Sequence, residues 1–354
     1  MATYDRVKDL PLQVESYELE GLEQRISPEF TRKTTVVRLR GAGQEGIGED
    51  VTYDPGDQEA LQRDGGSLPI TRSHTFDSFS KLLEHLSLFP AGPALEQFRE
   101  YRRWAFESAA LDLALRQAGT TLAAALEREP RPVRYVVSLR LGDPPSLEPI
   151  RNILEVYPET RFKLDPTGSW TEQVVAQLVA ANAVDTVDFK GAYKGTPVDQ
   201  APDPLLYGRV AIAFPQAWLE DPAITEETRP VLEPHSERVT WDAPIHSVAD
   251  IGGLEWAPRT LNFKPSRFGS VQALLDAYDY CAEEGIGIYG GGQFELGPGR
   301  GQIQYLASLF HADSPNDVAP GAFNAPNPPP GLSPSPLEPR PSATGFRWDS
   351  DESF

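Results

Sequence analysis

The segment "RTLNFKPSRFGSVQALLDAYDYCAEEGIGIYGGG" (residues 259–292) contains one complete repeat of the pattern that decides the fold. The apolar residues of TLNFKP (260–265) predict a strand, and VQALLDAYDYCAEEG (271–285) has the spacing of a helix. A second strand is predicted at IGIYGGG (286–292). A helix between two strands indicates parallel strands joined by a right-handed crossover. This unit therefore predicts an α/β protein with a parallel sheet.

The same alternation extends over residues 131–324. Further short apolar strands are predicted at 134–141, 160–165, 185–190, 216–221 and 237–242, with helices at 146–157 and 171–184. Seven or eight such units fit a closed barrel better than an open sheet. We therefore predict a TIM-type (β/α)7β barrel for residues 131–324.

The two ends of the chain have different patterns. Within residues 1–130, the segment 34–54 alternates like paired strands, and helices are predicted at 75–89 and 95–119, which indicates a small α+β domain. Residues 325–354 are rich in Pro and Ser and have almost no apolar periodicity, so we expect an extended or disordered tail.

Composition narrows the class of protein. The formal net charge of −20 argues against general binding to nucleic acid, which requires a basic surface. No apolar stretch approaches the length of a membrane span, so we expect no membrane partner. The single cysteine, Cys281, allows neither an intrachain disulfide nor a cysteine zinc site. A cytoplasmic location is expected, and assembly into a homo-oligomer is left open.

Five consecutive predicted strands end in charged residues: Lys163, Asp188, Glu220, Asp242 and Lys264. The carboxyl ends of parallel barrel strands meet at one face, so we expect these side chains to lie close together. Carboxylates on adjacent strands would repel one another unless a divalent cation lay between them. Oxygen ligands without Cys or His favour Mg²⁺, with Mn²⁺ as the alternative.

The two lysines of this series, Lys163 and Lys264, would lie on opposite sides of such a cation. Burial and a nearby dication both disfavour the ammonium form, so we expect the lysine pKa to fall toward neutrality. A lysine with a lowered pKa can act as a general base. This arrangement suits removal of the proton next to a carboxylate, with the metal ion stabilising the enediolate that forms.

Several segments resemble the enolase superfamily, and within it the muconate lactonizing enzyme subgroup. They are "AWLEDPAI" (217–224), "VTWDAPIHSVADI" (239–251), "LNFKPSRFGS" (261–270), "ESAALDLALRQAG" (107–119) and "TTVVRLRGAGQEGIGED" (34–50). The resemblance covers about residues 16–322, most of the chain. The subgroup also contains o-succinylbenzoate synthases, N-acylamino acid racemases and dipeptide epimerases. The superfamily combines a lysine or histidine base with Mg²⁺ at an enediolate.

The resemblance implies a role for each residue of the series. Asp188, Glu220 and Asp242 would be the Mg²⁺ ligands, and Lys163 and Lys264 would be the acid/base pair.

It also implies roles outside the series. Arg161 would lower the pKa of Lys163, and Glu295 in the glycine-rich segment 290–301 would contact substrate. Residues 1–130 would cap the barrel, with further substrate contacts around residues 21–29.

Three positions depart from the family pattern. Arg161-Phe162-Lys163 stands where the family has Lys-x-Lys; we favour Lys163 as the catalytic residue, but another register would place Asp165 there. Lys190 replaces a common Asn, and Ala243 replaces a common Glu. Such neighbours orient metal ligands, so altered substrate range, weaker metal binding or loss of activity stay open.

The resemblance implies an enzyme, a metal-dependent isomerase or carbon–oxygen lyase acting on a small-molecule carboxylate. We expect a racemase or epimerase acting on an acylated amino acid or a similar small acid. The first alternative is a lyase of the o-succinylbenzoate synthase type. The second, motivated by Lys190 and Ala243, is a non-catalytic barrel that binds a small acid or a partner.

Overall fold

The computed structural model describes residues 2–26, 30–65, 68–196, 198–325 and 327–349. The strands, in chain order, are β1 (Pro11–Gln13), β2 (Ser16–Arg25), β3 (Thr31–Gly41), β4 (Gln44–Asp50), β5 (Ser73–Thr75), β6 (Val137–Leu139), β7 (Phe162–Leu164), β8 (Val184–Asp188), β9 (Trp218–Glu220), β10 (Val239–Thr240), β11 (Thr260–Phe263) and β12 (Gly287–Gly290). The helices are α1 (Pro55–Asp64), α2 (Phe76–Glu84), α3 (Phe98–Gln117), α4 (Leu122–Leu126), α5 (Glu148–Val156), α6 (Glu172–Ala181), α7 (Pro204–Ala213), α8 (Arg229–Leu232), α9 (Val248–Gly252), α10 (Pro265–Phe268), α11 (Val271–Glu284) and α12 (Pro298–Phe310).

The strands β6 to β12 form the barrel. β6 to β10 make one parallel sheet in chain order, and β11 pairs with β12 in parallel. The amide of Asn262 donates to the carbonyl of Trp241 at 3.0 Å and joins β11 to the end of β10. The observed strands coincide with those predicted between residues 131 and 324, because each is a short, buried apolar run.

A short extended segment closes the barrel between β12 and β6. The amide of Asp317 donates to the carbonyl of Gly290 at 2.7 Å, and the amide of Val136 donates to the carbonyl of Asn316 at 2.8 Å. Asn316 and Asp317 thus take the eighth strand position, and among the described residues a short 3-10 helix, Gly321–Asn324, follows them rather than an α-helix. The predicted (β/α)7β barrel fold with an α+β domain before it is confirmed.

The N-terminal domain is built on a three-stranded antiparallel sheet, with α3 as the helix that packs most closely on it. β2, β3 and β4 pair in that order, and α3 packs across β4. A Cβ atom on Gly48 would lie 2.1 Å from the carbonyl oxygen of Ala105, and one on Gly46 would lie 2.2 Å from that of Ala109. The glycines in QEGIGED therefore allow the long helix to lie directly on the strand.

The Pro-rich tail has few backbone bridges of its own, but its described residues 327–349 are packed against both parts of the protein. Leu337, Phe346 and Trp348 are buried. The carboxylate of Asp112 on α3 accepts from the Phe346 amide at 2.8 Å and from Arg347 Nε at 2.7 Å. An extended tail matches the sequence prediction, but the prediction of disorder is wrong for these residues. Residues 350–354 lie outside the described residues.

The error has a physical reason. Isolated apolar residues separated by prolines carry no helix or strand periodicity, yet each can fill a pocket that the folded domains supply.

The tail packing can be tested by Phe346→Ala. Phe346 is fully buried, so its removal should lower the free energy of unfolding by about 3–5 kcal/mol. Urea denaturation followed by circular dichroism measures the change. The control is Glu338→Ala, an exposed position in the same tail, with an expected change within about 0.5 kcal/mol. Equal stabilities of the two variants would contradict the packing.

Candidate active site

Three carboxylates converge at the carboxyl end of the barrel. Asp188 ends β8, Glu220 ends β9, and Asp242 follows β10. Parallel pairing puts Asp188 directly opposite Glu220. One oxygen of each lies within 4.8 Å of the others, and all three side chains are fully buried. The structure therefore brings together the three residues that the sequence predicted as metal ligands.

Lys163 on β7 points into this cluster and is 1% exposed. Its Nζ contacts Glu220 Oε1 and lies 3.1 Å from Asp188 Oδ2 and 3.8 Å from Asp317 Oδ2. Burial favours the neutral amine, but the Glu220 and Asp188 carboxylates outweigh burial and hold the pKa of Lys163 well above its usual value. This direction is opposite to the one expected beside a bound dication. A cation that neutralised these carboxylates would lower the pKa of Lys163 and so favour its action as a base.

Glu220 is held by neutral groups as well as by Lys163. Its Oε1 accepts from Asn262 Nδ2 at 3.2 Å, and its Oε2 accepts from the hydroxyl of Tyr289 at 2.5 Å. Burial and the nearby Asp188 carboxylate raise the pKa of Glu220. The side chain is consequently fixed in position by β11 and β12, which follow β9 by two and three strands.

Asp242 is surrounded by two cations and a phenol. Lys264 Nζ lies 2.7 Å from its Oδ2, and Arg267 Nε donates to Oδ1 at 2.9 Å. The hydroxyl of Tyr193 also donates to Oδ2, at 2.6 Å. Burial disfavours the ionised carboxylate, but Arg267 and Lys264 outweigh burial and hold the pKa of Asp242 well below its usual value.

Asp188 has a second cation, Lys190, which the sequence marks as a departure from the family pattern. Lys190 Nζ contacts Asp188 Oδ2, and the Lys190 amide donates to Oδ1 at 3.1 Å. The Asp188 carboxylate therefore has Lys190 on both oxygens and Lys163 on one.

Arg161 is not brought to Lys163. Its Nε donates to Asp185 Oδ1 at 2.9 Å, and its NH1 group donates to the carbonyl of Asn182. Arg161 precedes β7, so these contacts hold it at the opposite end of the strand from the cluster. The expectation that Arg161 tunes the pKa of Lys163 is corrected: Lys190 shares an Asp188 oxygen with Lys163 and is the nearby cation.

Glu295 is buried in the loop between β12 and α12. It accepts from the Gln293 amide at 2.6 Å and lies 3.3 Å from Arg300. These contacts join it to its own loop, and its role with substrate stays a prediction. Of the segment 21–29, residues 21–25 belong to β2, while 27–29 lie outside the described residues.

The sequence pattern missed several residues around the cluster. Its carboxylates are contacted by Tyr193, Asn262, Arg267 and Tyr289, and Asp317 lies 3.8 Å from Lys163 Nζ. Asn262 and Tyr289 carried a usable signal, because each is a polar side chain inside a short apolar strand. Tyr193 reaches the cluster from a loop and Arg267 from the four-residue helix α10, segments in which no periodicity shows which way a side chain points.

The donor set fits a hard divalent cation. Mg²⁺ and Mn²⁺ prefer carboxylate oxygens, and the triad offers three of them in a buried position. The charges around the triad would have to rearrange, since Lys163 and Lys190 both contact Asp188. The donors are therefore suitable for a cation, while the flanking ammonium groups compete with it.

The barrel and the N-terminal domain before it are similar in fold to solved structures of the enolase superfamily. An enolase superfamily member from Listeria innocua has a TM-score of 0.64 at 17% identity, over 88% of this chain and 86% of that one. Muconate cycloisomerase from Pseudomonas fluorescens has a TM-score of 0.62 at 19% identity, over 87% of both chains.

Two curated sequences are also similar to the chain. The N-succinylamino acid racemase of Thermus thermophilus is 26% identical over 89% of this chain and 84% of its own length. The o-succinylbenzoate synthase of Geobacillus kaustophilus is 25% identical over 68% of this chain and 64% of its own length. The resemblance to the muconate lactonizing enzyme subgroup is therefore confirmed.

Two domain models of one family match most of the chain. Residues 129–325 match the C-terminal domain, and residues 5–125 the N-terminal domain, of a family described as "Domain of unknown function (DUF8230)". The chain belongs to this family. Within the described residues, no helix is both long and apolar enough to cross a membrane.

The charge balance of the site can be tested by Lys163→Met in a metal-free buffer. Glu220 would lose its side-chain cation in a buried position, so the free energy of unfolding should fall by about 3–5 kcal/mol. Urea denaturation in the presence of a chelator measures it. Lys163→Met/Glu220→Gln should recover part of the loss. The control is Lys194→Met, which removes an exposed lysine four residues after Lys190 and should change the free energy of unfolding by less than about 0.5 kcal/mol. If Lys163→Met lowered the free energy of unfolding as little as Lys194→Met does, a buried ion pair between Lys163 and Glu220 would be contradicted.

Proposed function

We propose that the protein catalyses metal-assisted removal of the proton next to the carboxylate of a small acid. The convergence of Asp188, Glu220 and Asp242 within 4.8 Å, between the buried lysines Lys163 and Lys264, carries the proposal. The curated relatives, a racemase and a synthase, support an enzyme of the isomerase or lyase kind.

In this proposal the three carboxylates hold the metal ion. A bound dication would neutralise the negative charge that builds up on the substrate carboxylate as the proton leaves. Lys163 contacts Asp188 and Glu220, whereas Lys264 contacts Asp242, so the two amines lie at different ends of the triad. That separation supports one amine removing the proton and the other returning one.

The N-terminal domain supports the same reaction by covering the site. Tyr101 on α3 accepts from Arg267 NH1 at 3.2 Å and from Gln293 Nε2 at 2.9 Å. These contacts join α3 to helix α10, which follows β11, and to the loop after β12, both beside the triad. A covered site excludes water, which strengthens the electrostatic effects on which the reaction depends.

We further propose racemisation or epimerisation of an N-acylated amino acid as the reaction. The racemase relative, which aligns with 89% of this chain, supports this choice. The second candidate is a lyase reaction of the o-succinylbenzoate synthase type, which the synthase relative supports. The two reactions share the first proton transfer and differ in what the second lysine does.

The metal ligands are tested by Asp188→Asn, Glu220→Gln and Asp242→Asn. Each replaces a carboxylate by a neutral amide, so Mg²⁺ binding measured by titration calorimetry should weaken by about tenfold or more. The matched control is Asp185→Asn, which removes a carboxylate from the same strand, β8, at the end away from the triad. Unchanged Mg²⁺ affinity in all three variants would refute the site.

The lysine roles are tested by exchange of the α-proton for solvent deuterium, followed by NMR. A panel of both enantiomers of N-succinylamino and other N-acylamino acids, dipeptides and the o-succinylbenzoate precursor is incubated with Mg²⁺. In a racemase, Lys163→Ala and Lys264→Ala should each abolish racemisation but retain exchange of opposite enantiomers. In the lyase, Lys163→Ala alone should abolish proton removal. No exchange on the whole panel would favour the non-catalytic barrel.

A further inference from the structure

Four cationic side chains contact the carboxylate triad: Lys163, Lys190, Lys264 and Arg267. The proposed function assigns Lys163 and Lys264 to proton transfer. Arg267 joins Asp242 to Tyr101 of the capping domain and thereby has a positioning role. Lys190 has no task in that scheme, although it contacts both oxygens of Asp188.

The backbone directs Lys190 onto Asp188. Lys190 has φ +55°, a left-handed conformation that is uncommon for lysine. This conformation turns the chain at the end of β8, so that the amide and the Nζ of Lys190 bind the two different oxygens of Asp188. A dication approaching the triad would meet this ammonium group on one of its own ligands.

A second acceptor for Lys190 lies close by. Asp165 Oδ1 is 3.8 Å from Lys190 Nζ, and no donor among the described residues forms a hydrogen bond with it. The Asp165 side chain is 9% exposed, and its other oxygen accepts from Arg140 Nε at 2.9 Å. A buried acceptor without a donor is unfavourable, so this oxygen would stabilise an ammonium group that moved toward it.

We propose that Lys190 is a tethered cation with two positions, one on Asp188 when the metal is absent and one on Asp165 when the metal is bound. In the first position Lys190 compensates the charge of Asp188 and competes with Mg²⁺. In the second, Asp165 holds Lys190 away from the ligand oxygen. This inference rests on the proposed metal-dependent function and adds the way in which the chain controls entry of the metal.

The test is binding of Mg²⁺ and Mn²⁺ alone, measured by titration calorimetry on the full chain without substrate. Lys190→Met removes the charge, and Lys190→Asn also suits the left-handed backbone. Both should bind Mg²⁺ about tenfold or more tightly than the parent protein, since a competing unit charge is removed from a ligand. Lys194→Met, which removes an exposed positive charge nearby in the chain, is the control and should bind like the parent.

The role of Asp165 is tested by a double-mutant cycle. Asp165→Asn should weaken Mg²⁺ binding more in the parent than in the Lys190→Met background. The difference should be at least about threefold, because contacting residues couple energetically. A crystal structure of the Mn²⁺ complex should place Lys190 Nζ within hydrogen-bond distance of Asp165 Oδ1.

The outcomes separate this inference from the proposed function. If the parent binds Mg²⁺ as tightly as Lys190→Met and Lys190→Asn, the inference is overturned and the metal site stands. If no variant binds Mg²⁺ or Mn²⁺ while circular dichroism shows folded protein, both are overturned. The second position, on Asp165, is overturned if the effects of Asp165→Asn and Lys190→Met on Mg²⁺ binding are additive. It is also overturned if Lys190 still contacts Asp188 in the crystal structure of the Mn²⁺ complex.

Discussion

Charge compensation at the buried carboxyl end of the barrel is the constraint on which the rest of the structure depends. Three fully buried carboxylates within 4.8 Å of one another would be strongly unfavourable if they stood alone. Asp188 is compensated by Lys163 and Lys190. Asp242 is compensated by Lys264 and Arg267. The same low-dielectric surroundings that make this compensation necessary would strengthen the attraction between the triad and a divalent cation.

The capping domain is joined to the barrel by contacts that likewise compensate buried charged side chains. The buried Glu49 carboxylate on β4 accepts from the amides of Leu296, Gly297 and Gly299 at the start of α12. Free amides at a helix N-terminus favour a negative charge, so this single side chain positions the loop after β12. Arg32 donates to the carbonyls of Gln293 and Phe294 in that loop. The glycine-rich segment beside the site is thereby shaped by the N-terminal domain, whose sequence lies more than half the chain away.

The barrel and the carboxylate triad on its face could be predicted because their signals are local. A short apolar run such as TLNFKP forms a strand in almost any parallel sheet, and the residue at its end must lie at the shared face. The contacts of Lys190 could not be predicted from such local signals. Its position after β8 was visible, but its left-handed backbone and its contact with Asp188 depend on packing around the strand end. The tail was misjudged for a similar reason, since Phe346 is buried by residues distant in the chain.

The sequence by itself determined the order of strands and helices, the barrel and the five charged residues at or near strand ends, because periodicity and chain order are properties of neighbouring residues. Only the tertiary structure decided which cation compensates which carboxylate. It turned Arg161 toward Asp185, placed Lys163 between Asp188 and Glu220, and left one oxygen of Asp165 without a hydrogen-bond donor among the described residues. Side-chain direction and desolvation depend on groups that meet only when the barrel closes, so no local pattern encodes them.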